Sequence, residues 1–129
     1  MQQADSFIKE YLVTEDVYNG FIGVSNDRNI LHTNETFAKD KGFSGKVMHG
    51  NILNAFLSHF IGECLPVKNV IIHSQEIKFL KPVYLNDTLT LNAEITDFFE
   101  SVKAYIFKFR FINQHKIIVA TGKIQIGLI

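Results

Sequence analysis

The sequence holds one cysteine, two prolines, two arginines, no tryptophan and no surplus of either charge over 129 residues. Each shortage excludes something. A single Cys64 cannot build an internal disulfide framework, and no cysteine cluster exists to hold a structural metal. No two of the five histidines stand four residues apart, so helical spacing offers no metal pair. Thirteen cationic and thirteen anionic side chains cancel, which argues against nucleic acid as the main partner, because phosphate binding needs a cationic excess. No apolar run reaches membrane-spanning length, so no membrane association is expected. Residues 1–16 carry Asp5, Lys9, Glu10, Glu15 and Asp16 where a secretory signal would be apolar. The expectation is a soluble, cytoplasmic protein in a reducing compartment. A chain that is 47% hydrophobic and 20% charged is too apolar for disorder, and its length suits one domain spanning residues 1–129. What is abundant is phenylalanine, twelve in all, and most of it must be buried.

Pro66 and Pro82 punctuate the middle of the chain and separate two textures. Before Pro66 the pattern suits helices and loops. Thr14, followed by Glu15 and Asp16, predicts a capped helix to about Val24, and a polar loop follows from Ser25 to Thr33. Asn34 predicts a cap on a short helix from Glu35 to Lys41, stopped by Gly42. The longest helix is predicted over 51–64, with Ile52, Leu53, Ala55, Phe56, Leu57, Phe60 and Ile61 burying it on nearly all sides. After Pro66, period-2 alternation dominates. Strands are expected over 70–80, through Leu89, Leu91, Ala93 and Ile95, through Tyr105, Phe107, Phe109 and Phe111, and from Ile118 to Leu128. Turns are expected at 85–87, 100–101 and 113–115. Several antiparallel strands after one buried helix predict an α+β fold whose curved sheet wraps that helix.

The loop from Ser25 to His32 carries an acid, Asp27, five residues before an imidazole, His32. Downstream, Val47-Met48-His49-Gly50 opens onto the start of the long helix, where unpaired amides stabilise an oxygen gaining negative charge. An Asp–His pair beside such donors has the parts for acid–base chemistry next to a polarised carbonyl. Equally, Asp27 could simply order its loop and His32 could be a satisfied, half-buried ring. Asn51, Asn54 and Ser58 share one narrow helix face, which reads either as a solvent edge or as a hydrogen-bonding stripe facing a site. Gly42-Phe43-Ser44-Gly45-Lys46 lacks the length and ending of a phosphate loop, and neither Ser44 nor Ser58 sits in a nucleophile elbow. Lys39, Lys41 and Lys46 read as a solvated charged loop or as partners for a carrier's phosphates.

Ser25, Asp27, Asn29 and His32, then Ala38, then Val47, His49 and Gly50, keep the order and spacing of a known signature. So do Lys81-Pro82-Val83 and Asn86-Asp87-Thr88 further on. The chain resembles the MaoC-like branch of the hotdog superfamily, which includes (R)-specific enoyl-CoA hydratases and related acyl dehydratases. Two positions depart from the pattern: Ile30 stands for the motif's proline, and Asn26 for the glycine before the aspartate.

The resemblance implies a hotdog fold and an acyl-thioester hydro-lyase. Asp27 and His32 would hold one water against the β-carbon of a trans-2-enoyl thioester, giving the (R)-3-hydroxyacyl product, and the reverse reaction is dehydration. The Gly50 N–H would bind the thioester oxygen, with Ser58, Asn29 and Asn54 as further substrate-binding residues. His49 and Asn51 would support the site from behind. No metal or redox cofactor is implied, since the acyl group travels on CoA or acyl carrier protein. A homodimer or larger homo-oligomer is the implied assembly. A hotdog thioesterase and a non-catalytic acyl-binding module are the competing readings.

Overall fold

The computed structural model describes residues 1–129. Its elements in chain order are β1 (Ser6–Leu12), α1 (Glu15–Ser25), α2 (Ile30–Thr33), α3 (Glu35–Asp40), α4 (Asn51–His59), a π-helical turn (Phe60–Cys64), β2 (Val70–Phe79), β3 (Thr88–Phe99), β4 (Ala104–Ile112) and β5 (Ile118–Leu128). The strands form one antiparallel sheet in the order β1-β3-β4-β5-β2, so β1 and β2 are its edges. Register shifts between Ile72 and Ser74 and between Ile95 and Asp97 place bulges in β2 and β3. Such bulges bend a strand and increase its twist, which suits a sheet that curves around a helix.

The expected strand faces are the core. Leu89, Leu91, Ala93 and Ile95 of β3 and Tyr105, Phe107, Phe109 and Phe111 of β4 are all buried. They share one apolar cluster with Ile52, Leu53, Phe56 and Leu57 of α4. Phe60 meets Phe107 edge-on, and Tyr11 stacks on Phe56, so part of the phenylalanine excess joins helix to sheet. Gly122 has a specific cause: a Cβ there would lie 2.0 Å from the Glu76 carbonyl oxygen, so only glycine lets β5 and β2 approach this closely.

Four expectations need correction. β1 is a strand where none was foreseen, because Lys9 and its exposed neighbours break the apolar alternation along an edge. The loop after Ser25 contains a helical turn, α2, nucleated by Asn29. The long helix is amphipathic rather than buried all round: Asn51, Ala55, Ser58, His59 and Gly62 are exposed, because the sheet covers only one side of it. Its last five residues widen into a π-turn, ending where Pro66 holds Leu65 extended. Cys64 is partly buried at this end, 3.7 Å from His59 Nδ1.

Candidate active site

The site begins with the exit from α1. Thr14 caps that helix, accepting from the Val17 N–H, and Asn26 ends it in the left-handed region at φ 54°. Asparagine tolerates this conformation, so the departure from glycine before Asp27 leaves the turn intact. Asp27 is then ordered on both sides. Its N–H donates to Ser25 Oγ at 3.1 Å, and its Oδ1 accepts from the Asn29 N–H at 3.1 Å. Asn29 Oδ1 in turn accepts from the Leu31 N–H, and Thr33 Oγ1 donates back to the Arg28 and Asn29 carbonyls. Ile30 occupies the first helical position of α2, where a proline would also fit because that N–H has no helical partner. Side-chain hydrogen bonds therefore hold this loop where the motif uses a proline ring.

His32 leaves α2 with its backbone carbonyl held by the Tyr18 hydroxyl at 2.6 Å. Its ring Nδ1 lies 2.7 Å from the Val47 carbonyl. A carbonyl only accepts, so Nδ1 carries the proton, and Nε2 of the neutral ring is left as a lone-pair acceptor. The same logic applies to His49, which is 2% exposed. Its Nε2 donates to the Asp27 carbonyl at 2.8 Å, leaving a buried Nδ1 with no partner. The two imidazoles stack at 4.0 Å between centroids, and Phe21 tilts against His49 at 4.9 Å. His49 thus ties the Asp27 loop to the start of α4 and backs the His32 ring.

Gly50 stands immediately before α4, and no side chain caps that end. Its N–H has no hydrogen-bond acceptor within the chain. A Cβ on Gly50 would fall 2.9 Å from Cε1 of Phe79, so the ring packs directly on the glycine. Asp27, His32, His49, Gly50 and Asn51 line one cleft of about 440 Å³, walled by Phe21, Phe43, Phe79 and Pro82. That is the size of a small-molecule site, with an apolar wall and a few convergent polar groups.

The other sequence-derived residues fall outside the lining of this cleft. Asn29 is spent on capping α2. Asn54 donates to Asn51 Oδ1 at 2.7 Å and accepts from Gln75 of β2. Ser58 is exposed on the open side of α4. Sequence reasoning missed Tyr18, the Val47 carbonyl and Phe79, none of which carries a motif signal except Val47. It also judged metal chemistry only by helical spacing, whereas the fold gathers Asp27, His32 and His49 from three segments, with ligand atoms within 4.8 Å of one another. That donor set, two imidazoles and a carboxylate, suits a transition metal rather than magnesium or calcium. The hydrogen bonds at His32 Nδ1 and His49 Nε2 already commit one nitrogen of each ring.

The family model described as MaoC like domain matches residues 1–112. The (R)-specific enoyl-CoA hydratase of Rhodospirillum rubrum is 33% identical over 93 residues, which cover 72% of this chain and 64% of that protein. The chain thus spans just under two thirds of that relative. The (R)-specific enoyl-CoA hydratase of Aeromonas caviae is 30% identical over 108 residues, 84% of this chain and 81% of that protein. Among solved structures, the (R)-hydratase from A. caviae involved in PHA biosynthesis superimposes with a TM-score of 0.91 at 25% identity, covering 100% of this chain and 98% of that one. The architecture is that of the hotdog-fold hydratases. No helix is long and apolar enough to cross a membrane.

Proposed function

The chain belongs to the MaoC-like domain family, and from that membership and the cleft geometry we propose that it is an enoyl-thioester hydro-lyase, adding water to a trans-2-enoyl-CoA or -acyl carrier protein to give the (R)-3-hydroxyacyl thioester. The observation that carries this reading is the convergence in one cleft of Asp27, a His32 ring with a free Nε2, and the unpartnered N–H of Gly50.

In this mechanism Asp27 and His32 hold a water between the carboxylate and Nε2. As the water oxygen adds to the β-carbon, the dyad takes its proton and delivers a proton to the α-carbon on the same face. The two groups act as one coupled unit, without separable acid and base labels. The thioester oxygen gains enolate character and is met by the Gly50 N–H. Positioned acid–base groups contribute about 10²–10⁴-fold and one oxyanion donor about 2.7–4 kcal/mol. His49 and Asn51 position this machinery from behind and beside it. Water and the chain's own groups complete every step, with no redox or metal chemistry called upon.

The remaining polar stripe belongs to this proposal in a different way. β2 is an edge strand of ten residues with Ile71 and Ile72 exposed, a surface that invites pairing with a second copy. We assign the assembly to a homodimer through this edge, with Asn54 and Ser58 on the side that a partner would cover. The unpaired Cys64 suits a reducing, cytoplasmic site of action.

The test is to offer crotonyl-CoA and longer 2-enoyl-CoAs while following enoyl absorbance and free thiol. Loss of absorbance without thiol release is expected, and thiol release would instead indicate a thioesterase. Asp27→Asn keeps the local turn and should lose about 10²–10⁴-fold in kcat. Equal activity in wild type and Asp27→Asn, or none in either, would sink the dyad mechanism.

A further inference from the structure

The helical turn that carries His32 cannot support itself. α2 has four residues, and a helix of one turn is unstable in water without tertiary partners. Its closing carbonyls have no acceptor role left within the helix and must find donors elsewhere. Ile30 O accepts from the Asn34 N–H at 2.9 Å, and Leu31 O from the Val47 N–H at 3.2 Å. The carbonyl of His32 itself accepts from the Tyr18 hydroxyl at 2.6 Å. We propose that Tyr18, with Lys46 seated on its ring, is a positioning residue for the reaction: it fixes the His32 backbone and with it the direction in which Nε2 points. The inference rests on the hydro-lyase reading of the cleft and adds to it a side chain that does not line the cleft.

Three holds act on His32. The Val47 carbonyl takes the ring at Nδ1, and the Asn29 carbonyl takes the backbone N–H at 2.9 Å. Tyr18 takes the backbone carbonyl, and it comes from α1, a separate and longer helix. Tyr18 is 6% exposed, so its hydroxyl bond is made where water competes little. Its ring also lies tilted against the His49 ring at 5.9 Å between centroids, and His49 stacks on His32. One side chain thus touches the His32 backbone and the imidazole that backs the His32 ring.

Lys46 completes the arrangement. Its ammonium lies 4.9 Å from the centroid of the Tyr18 ring, and it makes no ion pair, since the chain's one salt bridge joins Lys39 to Glu35. A cation over the ring draws electron density away from the phenol oxygen and makes its O–H a stronger donor. Lys46 therefore acts on His32 through Tyr18.

The test removes the hydroxyl and keeps the ring. In Tyr18→Phe, kcat for crotonyl-CoA hydration should fall about tenfold at unchanged KM, less than the roughly 10²-fold cost of a misplacement of about 1 Å, because the other two holds remain. Tyr105→Phe is the matched control: Tyr105 is 7% exposed, its hydroxyl donates to the Met1 carbonyl at 3.3 Å, and it lines no part of the cleft. That variant should lose similar thermal stability and no kcat. Nitrogen-15 NMR of the imidazoles gives a readout independent of turnover. Wild-type His32 should show a protonated Nδ1 and an unprotonated Nε2 that resonate far apart, and in Tyr18→Phe the two should move together as the ring samples both tautomers. Lys46→Met should lower kcat by about threefold in wild type and not at all in the Tyr18→Phe background. Wild-type kcat in a folded Tyr18→Phe, an equal loss of kcat in Tyr105→Phe, or additive losses in the double variant overturns the proposal. If Tyr18→Phe does not fold, Lys46→Met decides, and wild-type kcat there overturns it. If wild type hydrates no enoyl-CoA, the hydro-lyase reading falls, while the imidazole spectra still judge the tether: unchanged His32 resonances in Tyr18→Phe overturn it, and merged ones uphold it.

Discussion

Replacing His49 by phenylalanine separates positioning from stability. Two terms oppose each other in the folded state. The variant loses the 2.8 Å hydrogen bond from Nε2 to the Asp27 carbonyl, a contribution of about 0.5–1.5 kcal/mol. It also removes the buried, unpartnered Nδ1, whose desolvation costs about 1–3 kcal/mol. The flat ring is retained against His32 and Phe21, so little packing is lost. Unfolding free energy should therefore stay within about 2 kcal/mol of wild type, or rise slightly. Activity has no such compensation. Without its tether the exposed Asp27 loop drifts from His32, and a misplacement of about 1 Å costs on the order of 10²-fold. The assay is steady-state hydration of crotonyl-CoA beside urea unfolding of the same preparations. The expected pattern is a fall in kcat of about 10²-fold, with KM little changed and the unfolding midpoint near wild type. A folded His49→Phe with wild-type kcat would refute the positioning role. A raised KM at unchanged kcat would mean that His49 touches substrate instead.

Gly50→Ala should fold, because φ −57° and ψ −35° are ordinary helical values and Phe79 is half-exposed and free to swing out. Its thermal stability should lie within about 1 kcal/mol of wild type, while hydration falls about 10²-fold or more as the methyl and displaced ring crowd the N–H. His32→Ala should lose most turnover yet keep the circular dichroism of wild type, since its ring is only partly buried. Burial holds the Tyr11 phenol well above its usual range, with the Cys64 thiol adding to the effect. The folded state resists forming the phenolate, so this contribution to stability is full below about pH 10 and is lost as pH rises beyond it. Tyrosinate absorbance should then show one of the four tyrosines ionising only with alkaline unfolding, and Tyr11→Phe should abolish that lag. If all four titrate near pH 10 in the folded protein, the account of the Tyr11 environment is wrong.

Local chemistry was readable where it is strong. Caps at Thr14 and Asn34 are single-residue signals with one physical outcome, and both helices start where they should. The strands after Pro82 announce themselves by alternation because one face packs on α4 and the other meets water. β1 did not, since an edge strand tolerates Lys9 between its two inward aromatics, Phe7 and Tyr11. Its identity comes from pairing with β3, from Ser6 with Glu94 to Leu12 with Thr88, a distance along the chain that no local pattern encodes.

The same division runs through the site. Composition excluded a disulfide scaffold, and the order of Asp27, His32, His49 and Gly50 carried a family resemblance that favoured a hydro-lyase while leaving a thioesterase and an acyl-binding module as competitors. Which nitrogen of His32 is free was a tertiary question, because it depends on the Val47 carbonyl, fifteen residues on, accepting from Nδ1. Ile30 brings no proline ring to the loop that carries Asp27, and only the fold shows that Asn29 and Thr33 hydrogen-bond that loop instead. Asn29, Asn54 and Ser58 have the right residue types for a site, yet they fall outside the lining of the cleft: Asn29 caps α2, Asn54 bonds to Asn51 and Gln75, and Ser58 is on the exposed side of α4. Sequence spacing reports which side chains share a face. Only the fold decides what that face meets, because packing partners come from distant segments and the hydrogen-bonding capacity of each group is spent on whichever arrives first.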